Sequence, residues 1–341
     1  ELSLREHRSR AQFTGELAAM TDAMFRPSVS VILLTWNQRD LTLDCLASLR
    51  QLDYPAEKLN VIVVDNGSHD DTVAAIRECF PEVTVLENGD NLGFAEGNNV
   101  GIRHALRGAP DCIMLLNNDT EVDPHMLMHL TEALYRHDDI GVVGPKMLYF
   151  DPPDVIWCAG NSINWWTGAT ARLQAEQKDS AQVESEREVD FITACAVLLR
   201  REVIEQIGLL DARFFIYYEE TDWLVRASRA GWRILYVPQA RMWHKVSAAM
   251  GTTSPATDYY FNRNRLLFLA RHQHGLRKWI SLALAAGRNL LAVAAYTAKP
   301  HGGTRRRNRD VRLLALRDAW HDRTGKMPDD AAAICYGKPR T

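Results

Sequence analysis

The chain has 341 residues, 46% of them hydrophobic, which suffices for a sizeable core in about two domains, or in one large domain with an appendage. A net charge of −3, from 40 basic and 43 acidic residues, excludes a general polyanion binder, and no nucleic-acid partner is expected. The six cysteines (Cys45, Cys79, Cys112, Cys158, Cys195 and Cys335) form no CxxC pair, which argues for buried reduced thiols in a cytoplasmic protein and against a zinc site or a disulfide framework.

Residues 1–27 read as an N-terminal extension; they mix charge with Ala and Met and hold no apolar core segment, so no signal peptide is expected there. Residues 29–34, "VSVILL", have the β-branched, apolar pattern of a strand buried on both faces. A polar turn, "TWNQRD", and a helical spacing in "LTLDCLASLRQL" follow. "NVIVVDNGSHDDT" is a second strand with a polar end, "TVAAIRECF" a helix and "VTVLEN" a third strand. "GFAEGNNVGIRHAL" runs from loop into helix, "CIMLLNNDT" is the fourth strand, and "PHMLMHLTEALYRH" the next helix. Strands alternating with helices of about 10–15 residues imply a mainly parallel, Rossmann-like sheet with helices on both faces, over residues 28–145.

Residues 146–270 form the second half. "DVIWCAGNSINWWTG" is aromatic and irregular, and residues 174–190 are almost wholly polar, either a solvated segment or a lid. "FITACAVLLRREVIEQIGLLD" and "WRILYVP" return to strand and helix. Residues 271–341 read as a helical, basic extension. Its apolar stretch at 279–297 is interrupted by Gly287, Arg288 and Asn289, so each run falls short of the roughly 20 residues that span a bilayer. A packing helix is one reading. A peripheral membrane contact through 279–312, aided by "RRRNRDVR" at 305–312, is the other.

Four strand ends carry polar residues: Thr35-Trp36-Asn37, Asp65-Asn66-Gly67-Ser68, Asn88 to Gly97, and Asn117-Asn118-Asp119. One such end is a turn, because Asn and Asp tolerate turn backbone. Four in succession along the carboxyl edge of a parallel sheet predict a shared ligand crevice.

The segments "VSVILLTWN", "VIVVDNGSHDDT", "NLGFAEGNNVGI", "MLLNNDTEVDP" and "FFIYYEETDWLVRASRAGWRILYVP…WH" stand in the order and spacing of glycosyltransferase family 2, and the chain resembles its rhamnosyltransferase-like members over about residues 28–270. The resemblance implies a GT-A fold and a nucleotide-diphosphate-sugar donor. It puts Asp65 at the base and ribose with Thr35 and Asn37 beside it, and a carboxylate can accept from a ring N–H or a ribose hydroxyl. The alternative for Asp65 is an Asx turn before Gly67. Gly93, Gly97 and Asn98 fall where the family's loop backbone approaches the nucleotide. Asn117-Asn118-Asp119 stands where many members carry Asp-x-Asp: Asp119 is the expected ligand of Mg²⁺ or Mn²⁺, Asn118 and Asn117 line the donor, and Asn117 departs from the first Asp. His244, in "RMWHKVS", matches a histidine that can join the metal. His125 and His129, spaced i, i+4, belong to a helix face.

Transfer of a sugar needs a base for the acceptor hydroxyl. The acidic run 219–222 matches the family's catalytic motif, with Glu220 as the expected base and Asp222 the competing candidate; ion pairs to Arg226 or Arg229 are the structural alternative. "YYFNRNRLLFLARH" holds Arg263 and Arg265, where the family places an Arg-Asn pair near the acceptor or the diphosphate; Arg forks suit phosphate, so Arg263 is the expected donor-site residue, and a solvated helix face is the alternative. The resemblance thus implies an inverting, metal-dependent transfer, with L-rhamnose from dTDP-rhamnose as the expected donor and a cell-envelope glycan or its lipid-linked precursor as acceptor. Two other classes stay open at this point: a nucleotidyltransferase, although "LLTWNQRD" lacks a Gly-rich signature loop, and a non-catalytic nucleotide-sugar-binding module, which would not need Glu219 and Glu220.

Overall fold

The computed structural model describes residues 26–180, 185–246, 254–298 and 303–337, the last without the side chains of residues 303 and 304. Residues 1–25 of the expected N-terminal extension, and 181–184 of the polar stretch, lie outside the described residues. The first half alternates as the pattern requires: β1 (Val29–Thr35), α1 (Arg39–Leu49), β2 (Leu59–Asp65), α2 (Thr72–Cys79), β3 (Thr84–Glu87), α3 (Gly93–Leu106), β4 (Cys112–Asn117), β5 (Thr120–Val122) and α4 (Met126–Leu134). The second half supplies β6 (Ile140–Tyr149), β7 (Ile156–Cys158), β8 (Asn161–Asn164), β9 (Ala169–Arg172), β10 (Arg187–Glu188), β11 (Ala196–Arg200), α5 (Arg201–Ile207), α6 (Glu219–Arg229) and β12 (Arg233–His244).

One ten-stranded sheet runs through both halves in the order β10-β12-β6-β11-β4-β1-β2-β3, with β5 on β12 and β7 on β6; β8 and β9 form a separate hairpin. β4, β1, β2 and β3 are mutually parallel, as are β6 and β12, and β11 is antiparallel to both its neighbours. The sheet is thus mixed but mostly parallel, and helices cover it because both faces of its central strands are apolar. The boundary expected at residue 145 falls inside β6, so the two halves share one sheet rather than dividing at that point. Five of the six cysteines are buried, Cys79 is exposed, and none forms a disulfide.

Beyond the sheet come α7 (Pro255–His272), α8 (Gly275–Ala298), α9 (Gly303–Trp320) and α10 (Asp329–Tyr336). α7 starts on a Ser254 cap whose hydroxyl accepts the Thr257 N–H at 3.1 Å, with Pro255 in the first turn where a missing N–H costs nothing. α9 and α10 close on α7 through a small core that includes Tyr259, Tyr260, Val311 and Ala315. α8 is continuous: Gly287, Arg288 and Asn289 do not interrupt it, and the two short runs read from the sequence are one helix of 24 residues. Gly costs a helix interior only about 1 kcal/mol, which α8 tolerates.

Candidate active site

The carboxyl ends of the central strands are level because parallel register makes them so. Thr35 pairs with Asp65 and Leu34 with Asn117. Asn118 Nδ2 donates to the hydroxyls of Thr35 at 3.2 Å and Thr42 at 2.9 Å, and those hydroxyls lie 2.8 Å apart. Thr35 and Asn118 are therefore brought together, with their polar atoms tying β4 to β1. Asp65 takes the turn geometry: its carboxylate accepts the backbone N–H of Gly67 at 3.2 Å and of Ser68 at 3.1 Å. Asn37, at φ 54°, accepts the His69 N–H at 2.7 Å and fastens the turn after β1 to the turn after β2. Trp36 stands between them, 50% exposed, on the same rim.

The Gly93–Asn98 segment is helical rather than a loop. Gly93 opens α3 at φ +82°, where a Cβ would meet the Phe215 ring at 2.5 Å; a Cβ on Gly97 would meet Leu34 at 2.6 Å. These glycines are needed for close packing. Asn98 donates to the Phe94 carbonyl within the helix. Asn66, missed by sequence reasoning, holds the preceding loop: its carboxamide accepts from Leu92 N–H and Asn88 Nδ2 and donates to Asn91 and Gly93.

Asp119 and His244 meet across β5 and β12, whose register sets His244 opposite Thr120. His244 Nε2 lies 3.2 Å from Asp119 Oδ1, both residues are buried, and the Trp157 ring meets the imidazole edge-on at 4.4 Å. The other ring nitrogen of His244, also buried, has no hydrogen-bond partner among the described residues. No cluster of three or more His, Cys, Asp or Glu gathers among the described residues. One carboxylate and one imidazole do not make a structural zinc site. They do fit Mg²⁺ or Mn²⁺, whose shell is completed by phosphate and water. Burial, and after it the Asp119 charge, pushes the Cys195 thiol well up.

The acidic run opens α6 behind a strained turn. Phe215, Tyr217 and Tyr218 have φ of 66°, 68° and 73°, a left-handed region that costs non-glycine residues about 1 kcal/mol or more each. Long-range contacts hold it there. The Phe215 carbonyl accepts from Phe94 and Ala95 N–H at 2.7 and 3.1 Å, and the Tyr218 hydroxyl donates to the Gly168 carbonyl at 2.7 Å. Asn264 Nδ2 lies 2.9, 2.8 and 2.8 Å from the carbonyls of Phe214, Ile216 and Tyr217. Glu219 and Glu220 each keep one buried carboxylate oxygen with no hydrogen-bond partner, and no cation pairs with either among the described residues. Burial raises both carboxyls, and the Glu220 charge raises Glu219 further. Glu220 keeps some solvent access, and the nearby Thr193 side chain offsets part of its rise. Thr193 begins the turn whose Cys195 carbonyl accepts the Asn117 N–H at 2.9 Å, which leads back to the end of β4.

Two expected site residues are employed elsewhere. Asp222 is 0% exposed and paired with Arg226 at 2.9 Å and Arg271 at 3.1 Å, with His272 Nε2 at 2.8 Å. The ion-pair alternative is what forms there, with Arg226, and Asp222 has no route to an acceptor. Arg263 is also 0% exposed, and its guanidinium donates to the carbonyls of Gly325 at 2.7 Å and Phe214 at 3.0 Å and to Asn264 Oδ1 at 2.9 Å. It braces the strained turn instead of facing a diphosphate. In "RNR" it is Asn264 that carries most of that cradle, and nothing local in the sequence says so.

The other sequence expectations resolve simply. Asp179 in the polar stretch is anchored by the fully buried Lys146 at 2.6 Å. His125 and His129 face Asp53 and Glu132 on the surface, as a helix face implies. In the basic run, Arg307 donates to the Gly337 carbonyl, Arg309 pairs with Asp310 and Arg312 with Asp258, while Arg305 and Arg306 are exposed.

Residues 27–265 match the profile of the glycosyltransferase-like family 2. The N-acetylglucosaminyl-diphospho-decaprenol L-rhamnosyltransferase of Mycobacterium tuberculosis is 27% identical over 283 residues, covering 75% of this chain and 88% of that one. The dTDP-rhamnosyl transferase RfbF of Shigella flexneri is 22% identical over 72% of this chain and 81% of its own. Among solved structures, the mannosyltransferase PcManGT of Pyrobaculum calidifontis, in complex with GDP-Man and Mn²⁺, aligns at a TM-score of 0.54 and 19% identity over 91% of this chain and 79% of that one. GalNAc-T7 with UDP, GalNAc and Mn²⁺ aligns at 0.58 and 14% identity, over 87% of this chain and 56% of that one. The fold is that of GT-A enzymes, the nucleotidyltransferase and binding-module readings fall away, and the chain belongs to the glycosyltransferase-like family 2, a glycosyltransferase with rhamnosyltransferase relatives.

Proposed function

We propose that the chain moves a sugar, L-rhamnose from dTDP-rhamnose, with inversion onto a hydroxyl of a cell-envelope glycan or its lipid-linked precursor, at the inner face of the plasma membrane. The observation that carries the reaction type is the pairing of two unlike sites: Asp119 beside His244 at one end of β4, and the Glu219–Glu220 pair at the head of α6, which has no cation partner among the described residues. The sugar and acceptor are supported by the activities for which the Mycobacterium and Shigella relatives are named.

In this reading the rim of Trp36, Asn37 and Asp65 holds the nucleoside, with the Asp65 carboxylate using lone pairs left over from its turn. Asn117 accepts from a sugar or ribose hydroxyl. Asp119 and His244 hold Mg²⁺ or Mn²⁺, which when bound offsets the charge gathering on the leaving diphosphate. Glu220 takes the proton of the acceptor hydroxyl as that oxygen attacks. A carboxylate raised by burial is a stronger base than an exposed one, and proton transfer is most effective when its pKa lies near working pH. The Glu220 charge in turn raises Glu219 beyond what its own burial does.

A donor-hydrolysis screen over dTDP-, UDP- and GDP-sugars, with Mg²⁺, with Mn²⁺ and with chelator, tests this. Turnover of dTDP-rhamnose only with metal is expected. Turnover insensitive to chelator overturns the metal assignment, and preference for another nucleotide sugar overturns the donor.

A further inference from the structure

We propose that α8 docks the enzyme on a bilayer surface rich in anionic lipid, lying in the plane of the membrane rather than crossing it. Among the described residues it is the one helix long and apolar enough to span, yet little of its apolar stretch is buried. Its buried positions are Ser281, Ala285 and Asn289, one stripe at a spacing of four that packs on α7 and α9. Leu276, Trp279, Ile280, Leu284, Leu290 and Leu291 are all exposed. At 3.6 residues per turn they fill an arc of about 140° centred roughly opposite Ala285. The helix therefore turns its broad apolar face away from the protein, the arrangement of an interfacial helix whose polar side is replaced by a protein body.

Charge selects the occupant. Residues 275–298 contain no Asp or Glu, and their charged residues are Arg277, Lys278 and Arg288. On the same wheel Arg277 and Arg288 fall along one edge of the apolar arc, within about 40° of Leu284. An apolar face bordered by basic residues, with Trp279 at its amino-terminal end, matches headgroup and acyl boundary together. The arginine run read from the sequence contributes less than expected, since Arg307, Arg309 and Arg312 are committed within the protein.

The buried stripe decides between lying and spanning. Asn289, at mid-helix, accepts from Arg312 at 3.2 Å, and Arg312 pairs with Asp258 of α7 at 2.6 Å. An ion pair held against the middle of a spanning helix would sit in hydrocarbon at high cost. α7 also carries Arg263 and Asn264, which brace the acidic turn, so α8 cannot leave the protein body without disturbing it. This inference stands apart from the identity of the donor and acceptor.

Flotation of the full chain with phosphatidylcholine vesicles, with and without phosphatidylglycerol, tests it. Binding is expected to the anionic vesicles, to weaken with salt, and to fall at least tenfold in the double variant Leu284→Glu, Leu291→Glu with donor hydrolysis unchanged. Alkaline carbonate should release the bound protein; retention after that wash would mean a spanning helix and overturn the proposal. Equal binding to neutral vesicles, or none to either, overturns it as well. So does a vesicle-free dimer that the same double variant dissociates, for then a second copy covers the face.

Discussion

The carboxyl edge of β1, β2 and β4 and the head of α6 both carry proposed site residues, yet they are built by different physics. The edge is local: three parallel strands end level, and short polar side chains link neighbouring turns, with Asn118 on Thr35 and Asn37 on His69. The head of α6 is remote. Three left-handed residues are held by α3, by the hairpin of β8 and β9, and by Asn264 on α7. A site made by register tolerates change wherever register survives; a site made by strain depends on every brace. The charges differ as well. Asp119 has an imidazole beside it, Asp222 has Arg226, Arg271 and His272, and Glu219 and Glu220 have no cation between them among the described residues.

The largest effect is expected at the edge. Asp119→Ala should lower kcat about 10³-fold or more, on the order of 4 kcal/mol of barrier, while circular dichroism and thermal melting stay near the parent. Unchanged turnover in the purified variant ends its assignment to the metal and makes the edge a binding rim alone.

Next comes the contrast within α6. Glu220→Gln should keep donor affinity and lose transfer by about 10²–10⁴-fold, because the amide keeps the shape but cannot take a proton. Asp222→Asn should act on the fold instead. Removing one member of a buried charged cluster typically costs about 3–5 kcal/mol, so its melting temperature should drop markedly. A folded, inactive Asp222→Asn beside an active Glu220→Gln would move the base by two residues and reverse the comparison.

A smaller effect tests the brace. Asn264→Ala removes an amide shared by three carbonyls without touching any proposed ligand. The turn should relax toward right-handed backbone, and kcat should fall roughly tenfold with KM for the donor unchanged, as for a misplaced catalytic group. A rise in KM alone would mean that the α7 cradle serves binding.

This contrast also explains what the sequence reveals. The parallel strands are legible because β-branched runs ending in Asn and Asp are local signals; they place Asp119 at a strand end, and its role as a metal ligand comes from the family resemblance. The whole sheet is not legible, since β6 crosses the boundary drawn at residue 145 and short β5 and β7 carry no periodicity. Glu219 to Asp222 read as an acidic motif, but their sorting into two glutamates with no cation among the described residues and one paired aspartate depends, beyond Arg226, on Arg271 and His272 about 50 positions away. For the same reason Arg263 read as a phosphate ligand: a buried arginine bonded to carbonyls looks, in one dimension, like any other. α8 was split at Gly287 because composition was read without the stripe that Ser281, Ala285 and Asn289 make only once the helix is packed.

The smallest effect concerns protons. Burial raises Glu220 above the ordinary carboxylate value of 4.5. The base must be deprotonated to act, so the acid limb of kcat/KM should lie above that value. The stability sign is opposite to that of a salt-bridged carboxylate. The folded state holds the proton more tightly than the unfolded chain, so stability is highest below 4.5 and declines as pH rises through the window between 4.5 and the raised folded value. At neutral pH the glutamate pair is therefore a burden on the fold. Glu220→Gln should relieve part of it, melting higher than the parent by a few degrees at neutral pH, as about 1 kcal/mol would give in a domain of this size, with the gap closing as pH falls toward 4.5. Glu219→Gln should behave alike, since the Glu220 charge adds to its own burial. A parent that melts higher than both variants at neutral pH would mean that an unseen cation compensates the pair, and the acidic turn would then resemble Asp222 more than a base.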